Sequence, residues 1–307
     1  MALALALAVA VVAAVRRDGT MTAVRRTVEV NGVRLCTEAF GTPGAPAVLL
    51  LHGAGHSMLN WPDAFVRRLA DGGRYVVRYD SRDAGRSTAF PVGAPPYGLR
   101  ELASDAAHLI AALDLGRAHV VGMSQGSAVA QLLALDHPEV VATLTLTAST
   151  PGGPGHATPD LPPMAARIAA LFEQEEPAVD RADREAVVRH LVEGERPFAA
   201  ASRPFDADGM RRVAARTVDH AADIAAQLTN PFLIDAGAPW RHRLGGLAVP
   251  TLVCHGDEDP LFPPDHGRAL AAEIPGAAFH LLERTGHEVF PPATWASVLP
   301  LLLDHTA

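Results

Sequence analysis

The five residues Gly122-Met123-Ser124-Gln125-Gly126 decide the fold, because a strand-like apolar run at residues 119–123 leads into them and a helical run at residues 125–136 leads out. A serine in such a G-x-S-x-G turn is held on strained backbone with its hydroxyl exposed, while the glycines let strand and helix pack closely. The backbone N–H of Gln125, at the helix start, then points to where an oxyanion would form. The pattern predicts that Ser124 is a nucleophile; a serine that caps an ordinary strand–helix turn is the alternative.

Buried strands alternate with helices around this turn. The pair Asn31-Gly32 lies between strand-like runs at residues 27–30 and 33–40 and is a strong signal for a β-hairpin, because both turn positions need a positive φ. Further strands are predicted at residues 47–51, 74–79, 119–123 and 140–148, and helices at residues 62–71, 99–115 and 125–136. This alternation predicts an α/β fold with a mostly parallel central sheet and helices on both faces.

The composition changes after Thr150, where two segments rich in proline and glycine interrupt regular structure. Three helices are then predicted at residues 164–175, 183–193 and 206–228. The sheet pattern returns with strands at residues 249–255 and 278–282 and helices at residues 264–274 and 292–303. We therefore divide the chain into an α/β core at residues 24–150 and 246–307 and an inserted helical lid, or cap, at residues 151–245.

Residues 1–23 are predicted to be an N-terminal extension outside the fold. The apolar run at residues 2–15 is shorter than the roughly 20 residues that span a bilayer. A secretory signal carries its positive charge before the apolar stretch, whereas Arg16 and Arg17 follow this one. We therefore expect a cytoplasmic protein without a stable membrane anchor. Export or membrane association through residues 1–20 is the alternative.

The composition excludes several kinds of chemistry. None of the 26 basic residues is a lysine, so neither a Schiff base nor a phosphate-binding loop with its lysine is available. A formal net charge of −8 disfavours a nucleic-acid partner. The two cysteines, Cys36 and Cys254, lack the spacing of metal ligands and are predicted to be buried free thiols, with a single long-range disulfide as the alternative. We expect no metal and no organic cofactor; a homo-oligomer is compatible with the sequence.

An acid and a base follow the serine at later strand ends. A serine hydroxyl needs a base that is itself oriented by a third group, and in this fold order both follow the nucleophile. Asp257 and Asp259 lie after the strand at residues 249–255, and we assign the acid to Asp259, with Asp257 as a residue that structures the loop. His287 follows the last strand and is the predicted base; His266 is its rival.

The early loop His52-Gly53-Ala54-Gly55 ends a buried strand, and its glycines let backbone amides approach a ligand. The Ala54 N–H is the predicted second oxyanion donor, beside that of Gln125. His52 is interpreted as a residue that braces the loop. His52 and His56 could be metal ligands together with His255, but no convergent carboxylate motif supports a metal site.

These features in combination resemble the α/β-hydrolase fold family over residues 24–305. Within it the chain is similar to the branch of polyketide ester and lactone hydrolases that includes aclacinomycin methylesterase and zearalenone lactonase. The segments that carry this resemblance are Trp61-Pro62-Asp63, residues 78–87 and Pro204-Phe205-Asp206. Asp83 stands where the wider family commonly has a glycine, which favours this branch.

The resemblance implies a serine hydrolase that cleaves an ester or lactone of a bulky, apolar, polyketide-like substrate through an acyl-enzyme. The same triad would serve a carbon–carbon bond hydrolase, and a non-catalytic small-molecule receptor is the binding-protein alternative. The fold's dehalogenases and epoxide hydrolases need an aspartate nucleophile, which Ser124 replaces here. The candidate substrate-binding residues are Gly53, Met58, Phe90, Met123, Phe205, Phe232 and Trp240.

Overall fold

The computed structural model describes residues 23–153, 155–174 and 179–307. The extension predicted at residues 1–23 lies outside the described residues except for its last residue. One eight-stranded sheet forms the centre, in the spatial order β1-β2-β4-β3-β5-β6-β7-β8. Its strands are β1 (Val24–Val30), β2 (Val33–Phe40), β3 (Ala47–Leu51), β4 (Tyr75–Tyr79), β5 (Ala118–Met123), β6 (Val141–Thr147), β7 (Thr251–Gly256) and β8 (Ala278–Leu282).

The sheet is parallel from β4 to β8 and antiparallel only where β2 meets β1 and β4. The predicted hairpin joins β1 to β2, with Val30 opposite Val33 and positive φ values of 47° at Asn31 and 77° at Gly32. Every residue of β3, β5 and β7 is buried, as expected for parallel strands that are covered on both faces. The mostly parallel α/β fold predicted from the sequence is confirmed.

Helices cover both faces because alternate side chains of the central strands point to opposite sides. Leu49 packs in one hydrophobic cluster with side chains of α2 (Leu99–Ala112) and α3 (Gln125–Asp136). Its neighbour Leu50 packs in the other cluster with side chains of α1 (Asp63–Asp71) and α9 (Trp295–His305). The remaining core helix, α8 (Pro264–Glu273), follows β7. Parallel strands whose carboxyl ends meet at one edge place the loops after β3, β4, β5, β7 and β8 together.

The described residues between β6 and β7, where the lid is predicted, form four α-helices: α4 (Ala166–Phe172), α5 (Arg184–Glu195), α6 (Ala207–His220) and α7 (Ile224–Thr229). The prediction of a single helix at residues 206–228 is wrong, because the helical conformation is interrupted between α6 and α7. Ala221 is extended, the Ala222 N–H donates to Gly85 O at 2.6 Å, and Asp223 caps α7 by accepting from the Ala226 N–H. The lid boundaries at residues 151 and 245 stay predictions.

A buried polar cluster joins α6 to the end of β4. The Nε2 of His220 lies 2.7 Å from Oδ2 of Asp80, which also accepts the Arg86 N–H. The thiol of Cys36 lies close to both side chains. Since the imidazole binds the carboxylate, this cluster ties α6 to the loop after β4. Cys36 and Cys254 are both buried and free, as predicted.

A second point of attachment explains why Asp83 stands at its position in the strand-end loop. Its backbone has a φ of 64°, a conformation that aspartate tolerates better than most side chains. One carboxylate oxygen accepts the Phe90 N–H, and the other accepts the Tyr97 hydroxyl at 2.6 Å and the Asn230 side chain at 3.0 Å. A glycine there would relieve the strain but lose all three bonds.

Among the described residues, no helix is long and apolar enough to cross a membrane.

Candidate active site

The turn after β5 has the strained geometry that its sequence predicts. Ser124 has φ 52° and ψ −117°, a conformation that side-chain-bearing residues rarely adopt. A methyl group on Gly126 would lie 2.5 Å from the carbonyl oxygens of Leu51 and His52, and one on Gly122 would collide with Gly126 O. Both glycines are therefore required for β5, α3 and the end of β3 to approach each other.

The structure brings together the three side chains that the sequence assigns to the nucleophile, base and acid. The Nε2 of His287 lies 2.9 Å from Oγ of Ser124. The Nδ1 of the same ring lies 2.9 Å from Oδ2 of Asp259. The three residues follow β5, β7 and β8, so their meeting is a direct result of the parallel sheet. This arrangement provides a hydroxyl with a base in contact and a carboxylate that orients the base.

The two carboxylates of the acid loop have different surroundings. Asp259 is only 3% exposed, and its Oδ1 accepts the N–H groups of Leu261 and Phe262, both at 2.9 Å. Burial raises the pKa of Asp259, but the charge and hydrogen bond of His287, the His255 charge and the Phe262 hydrogen bond together outweigh it, and the net pKa is lowered. Asp257 instead accepts the Thr285 N–H at 3.2 Å. Asp257 therefore fixes the loop, and the ionised Asp259 faces the imidazole.

The rival base His266 is engaged away from the serine. Its Nδ1 lies 2.8 Å from the Thr150 hydroxyl, and its Nε2 lies 2.8 Å from Pro162 O. His255, a third imidazole in this region, is fully buried with its Nε2 2.8 Å from Phe262 O. Neither ring is placed to accept a proton from Ser124.

The two predicted oxyanion donors belong to segments that adjoin the serine. Gln125 N is the first helical nitrogen of α3, a position that has no partner within its own helix. Ala54 follows Gly53, on which a methyl group would lie 3.4 Å from Ser124 Cβ and 3.0 Å from Met123 Sδ. Within the described parts of the chain, neither the Ala54 N–H nor the Gln125 N–H has an intramolecular acceptor. Two N–H groups without an acceptor can hold a developing negative charge.

His52 braces this loop, as interpreted from the sequence. Its Nδ1 lies 2.8 Å from Gly53 O, and its Nε2 accepts the Ser81 N–H at 3.2 Å. Burial lowers the pKa of His52 to about 4, against the smaller opposing effects of the Gly53 hydrogen bond and the Asp80 charge. The folded protein therefore holds this imidazole neutral at neutral pH.

The neutral His52 makes stability fall on acidification. The pKa of histidine in an unfolded chain is about 6.5, so between this pH and about pH 4 the unfolded chain binds a proton that the folded one does not. Over that range we expect His52 to remove about 3 kcal/mol from the free energy of unfolding. Urea unfolding at several pH values checks this: His52→Gln should flatten the slope of stability against pH. His108→Gln, at an exposed position of α2, should leave the slope unchanged; equal slopes in the two variants would refute the assignment.

The predicted substrate-binding side chains fall into two groups. Phe232 is 64% exposed, and its ring lies 3.3 Å from where a methyl group on Gly55 would be. The neighbouring Pro231 O accepts the side-chain N–H of Gln125 at 2.7 Å, so this cap segment covers the oxyanion loop. Met123 is only 1% exposed and packs in the core, so its expected lining role is corrected; Gly53 is also buried, next to Met123 and Ser124.

The other predicted side chains lie away from the serine. Met58 and Trp240 are fully buried and offer no surface to a ligand: Met58 packs with Cys36, and Trp240 donates to Gln131 Oε1 at 3.1 Å. This corrects their expected lining role, since an apolar side chain has no sequence signal that separates core from pocket. Phe90 packs against Tyr97 with tilted rings, and Phe205 packs under the guanidinium of Arg196.

Sequence reasoning missed four residues around the site. The rings of Phe198 and Phe262 lie 6.2 Å and 5.5 Å from that of His287 and form apolar walls. The Nε2 of His56 lies 2.8 Å from Oε1 of Glu195, the last residue of α5. His56 carried a signal through its place in the glycine-rich loop, and Phe262 through its place three residues after Asp259. Glu195 and Phe198 belong to no motif.

This fold and strand-end geometry define a class of enzyme. The α/β-hydrolase fold family model matches residues 46–293, and the chain belongs to that family. The Rhodomycin D methylesterase DauP of Streptomyces sp. (strain C5) is 33% identical over 295 residues, which cover 92% of this chain and 97% of the relative. The resemblance to the methylesterase branch is thereby confirmed.

One further relative and one solved structure are named for hydroxy-oxo-dienoate substrates. A 2-hydroxy-6-oxononadienedioate/2-hydroxy-6-oxononatrienedioate hydrolase of Paraburkholderia xenovorans (strain LB400) is 30% identical over 249 residues, covering 80% of this chain and 81% of its own. The solved structure of a 2-hydroxy-6-oxo-6-phenylhexa-2,4-dienoate hydrolase from Rhodococcus sp. strain RHA1 has a TM-score of 0.70 at 23% identity. The match covers 93% of this chain and 99% of the Rhodococcus chain, and the two proteins share the fold.

Proposed function

We propose that the protein is a serine hydrolase that cleaves a carboxylic ester or lactone of a bulky, apolar, polyketide-like substrate. The observation that carries this proposal is the chain of hydrogen bonds from Ser124 through His287 to Asp259, in which both contacts measure 2.9 Å. The backbone N–H groups of Ala54 and Gln125, which have no acceptor among the described residues, complete the set of groups that acyl transfer needs.

The reaction proceeds in two halves. His287 Nε2 takes the proton of Ser124 as its oxygen attacks the carbonyl, and the N–H groups of Ala54 and Gln125 donate to the oxyanion. Asp259 accepts from Nδ1–H of His287 and stabilises the imidazolium. His287 then protonates the leaving alkoxide. In the second half His287 deprotonates a water molecule, which attacks the acyl-enzyme carbonyl. His287 then returns that proton to the oxygen of Ser124 as the bond to the acyl group breaks and the acid leaves.

The apolar surroundings favour a bulky substrate without many polar groups. The rings of Phe198 and Phe262 both pack against that of His287. The exposed Phe232 lies over the oxyanion loop. The methylesterase named for rhodomycin D supports an ester of polyketide origin, since it aligns with 92% of this chain.

Cleavage of a carbon–carbon bond is the second candidate, because the relative from Paraburkholderia xenovorans is named for such a substrate. A panel of aromatic polyketide methyl esters, macrocyclic lactones and a 2-hydroxy-6-oxodienoate separates the possibilities by product mass. A methyl ester loses methanol, a lactone gains water without losing a fragment, and the dienoate splits at a carbon–carbon bond. We expect turnover of the esters or lactones and labelling of Ser124 by a fluorophosphonate. A protein that is not labelled would be the non-catalytic receptor, and turnover of the dienoate alone would favour the second candidate.

A further inference from the structure

A carboxylate of the cap reaches into the oxyanion loop. Glu195 ends α5, and its Oε1 lies 2.8 Å from Nε2 of His56. Both side chains are largely buried, with 29% and 17% of their surface exposed. Burial raises the pKa of Glu195, but the His56 charge and hydrogen bond, together with the His287 charge, lower it overall. An ionised carboxylate accepts only, so the proton of this contact sits on Nε2 of His56.

His56 belongs to the same short turn as the Ala54 N–H. The His56 N–H donates to Gly53 O at 3.3 Å, which closes a turn around Ala54 and Gly55. Gly55 has a φ of 72°, so the loop reverses direction here. A rotation of His56 would therefore be transmitted through two residues to the direction of the Ala54 N–H.

The imidazole of His56 depends on Glu195 for its orientation. Its Nδ1 is buried and has no hydrogen-bond partner among the residues that the structure describes. It lies 3.3 Å from the position of a methyl group on Gly53, which is itself 3.4 Å from Ser124 Cβ. The ring is thus packed against Gly53, which itself adjoins Ser124, and among the described residues one hydrogen bond holds it.

The cap segment that carries Glu195 also contacts the loop of the base. Phe198, in the turn after α5, accepts the His287 N–H with its carbonyl oxygen at 2.8 Å. A methyl group on Gly286 would collide with that same carbonyl, so the two backbones touch. The Ala200 N–H donates to Glu288. Residues 195–200 therefore contact both the oxyanion loop and the loop that carries His287.

We propose that Glu195 and His56 are positioning residues for the reaction: the cap carboxylate fixes the imidazole, and the imidazole holds the oxyanion loop with the Ala54 N–H toward the reacting carbonyl. The inference rests on the proposed function. It makes the cap part of the catalytic machinery as well as a cover for the substrate.

The test compares Glu195→Ala, Glu195→Gln and His56→Leu with a control at another cap–core ion pair. Arg216 of α6 contacts Asp63 of α1 at 3.2 Å at an exposed position, so Arg216→Ala removes a cap contact without touching the loop. The measurements are kcat and KM for p-nitrophenyl acetate, and the inhibition constant of a trifluoromethyl ketone, whose serine adduct carries an oxyanion. Loss of one oxyanion donor costs about 10²–10³-fold in kcat, so a displaced donor should cost about 10-fold.

We expect Glu195→Ala and His56→Leu each to lower kcat about 10-fold, to leave KM nearly unchanged and to weaken the ketone by a similar factor. The glutamine variant should recover most of the loss, since its carbonyl oxygen accepts the same Nε2–H. The double variant should be no worse than either single one, and Arg216→Ala should match the wild type.

An alanine variant with unchanged kcat, a change in KM alone, or a lowered kcat with unaltered ketone inhibition would overturn the inference. So would a glutamine variant no better than the alanine one. If Glu195→Ala fails to fold, His56→Leu provides the same comparison from the core side. If the wild-type protein cleaves esters and these variants are unaffected, the inference is refuted but the proposed function is not. A wild-type protein inert to esters and fluorophosphonate would refute the proposed function with it.

Discussion

Replacement of Ser124 with alanine is expected to lower kcat for ester hydrolysis by about 10⁴–10⁶-fold. The Ser124 hydroxyl is the only nucleophile in the proposed mechanism. The base that takes its proton, His287 Nε2, lies 2.9 Å from the hydroxyl oxygen. Water attack on a substrate held by the oxyanion donors would leave a small residual rate. The measurement is the single-turnover rate on a methyl ester or lactone identified by the substrate panel.

The matched control is Ser127→Ala, one turn further along α3. Ser127 is fully buried, and its hydroxyl has no hydrogen-bond partner in the described structure, so its removal should leave kcat within about threefold. The free energy of unfolding of both variants should lie within about 1 kcal/mol of that of the wild type, because neither loses a large buried contact. An Ser124→Ala protein that keeps more than about one hundredth of the activity, or that still reacts with a fluorophosphonate, would contradict the assignment.

Local sequence signals predicted the parts of the fold that local physics determines. The Asn31-Gly32 hairpin and the Ser124 turn both require backbone conformations that few residue types tolerate, and both have positive φ at the expected residues. The continuous apolar strands β3, β5 and β7 predicted the buried parallel sheet. Once the strands were in parallel order, the meeting of Ser124, Asp259 and His287 followed from the edge they share.

Contacts across long sequence separations left no such signal. His56 and Glu195 are 139 residues apart, and the helix that carries Glu195 resembles any other amphipathic helix. The break between α6 and α7 depends on a bond from the Ala222 N–H to Gly85 O in another part of the chain. Helical periodicity alone runs through that break, so the sequence predicted one helix where tertiary contacts make two.

Side-chain identity also fails to separate core from pocket. Trp240 and Phe232 are both large, apolar and located in the predicted cap, but Trp240 is fully buried against Gln131 whereas Phe232 is 64% exposed over the oxyanion loop. The two side chains differ in exposure because that of Trp240 is directed into the core and that of Phe232 is not. Substrate contacts could therefore be named from the sequence only as a class of residue.

Replacement of Asp259 with asparagine is expected to lower kcat about 10⁴-fold while leaving the fold intact, because it reverses the tautomer of His287. The Oδ1 position accepts the N–H groups of Leu261 and Phe262, and this pair of donors selects the carbonyl oxygen of the new amide. The amide nitrogen then faces Nδ1 of His287, where Oδ2 now lies at 2.9 Å. Since an amide N–H donates, the proton of the neutral ring moves to Nε2, which can no longer accept the proton of Ser124.

Asp257→Asn is the matched control two residues earlier in the same loop. Asp257 accepts only the Thr285 N–H among the described contacts, and the carbonyl oxygen of an asparagine can accept that bond equally well. Its kcat should therefore stay within about threefold of the wild type, and its free energy of unfolding within about 1 kcal/mol. Steady-state kinetics on the same ester decide the outcome. A large loss in Asp257→Asn with normal turnover in Asp259→Asn would assign the acid to Asp257, and the orientation of His287 would then have to differ from the one described.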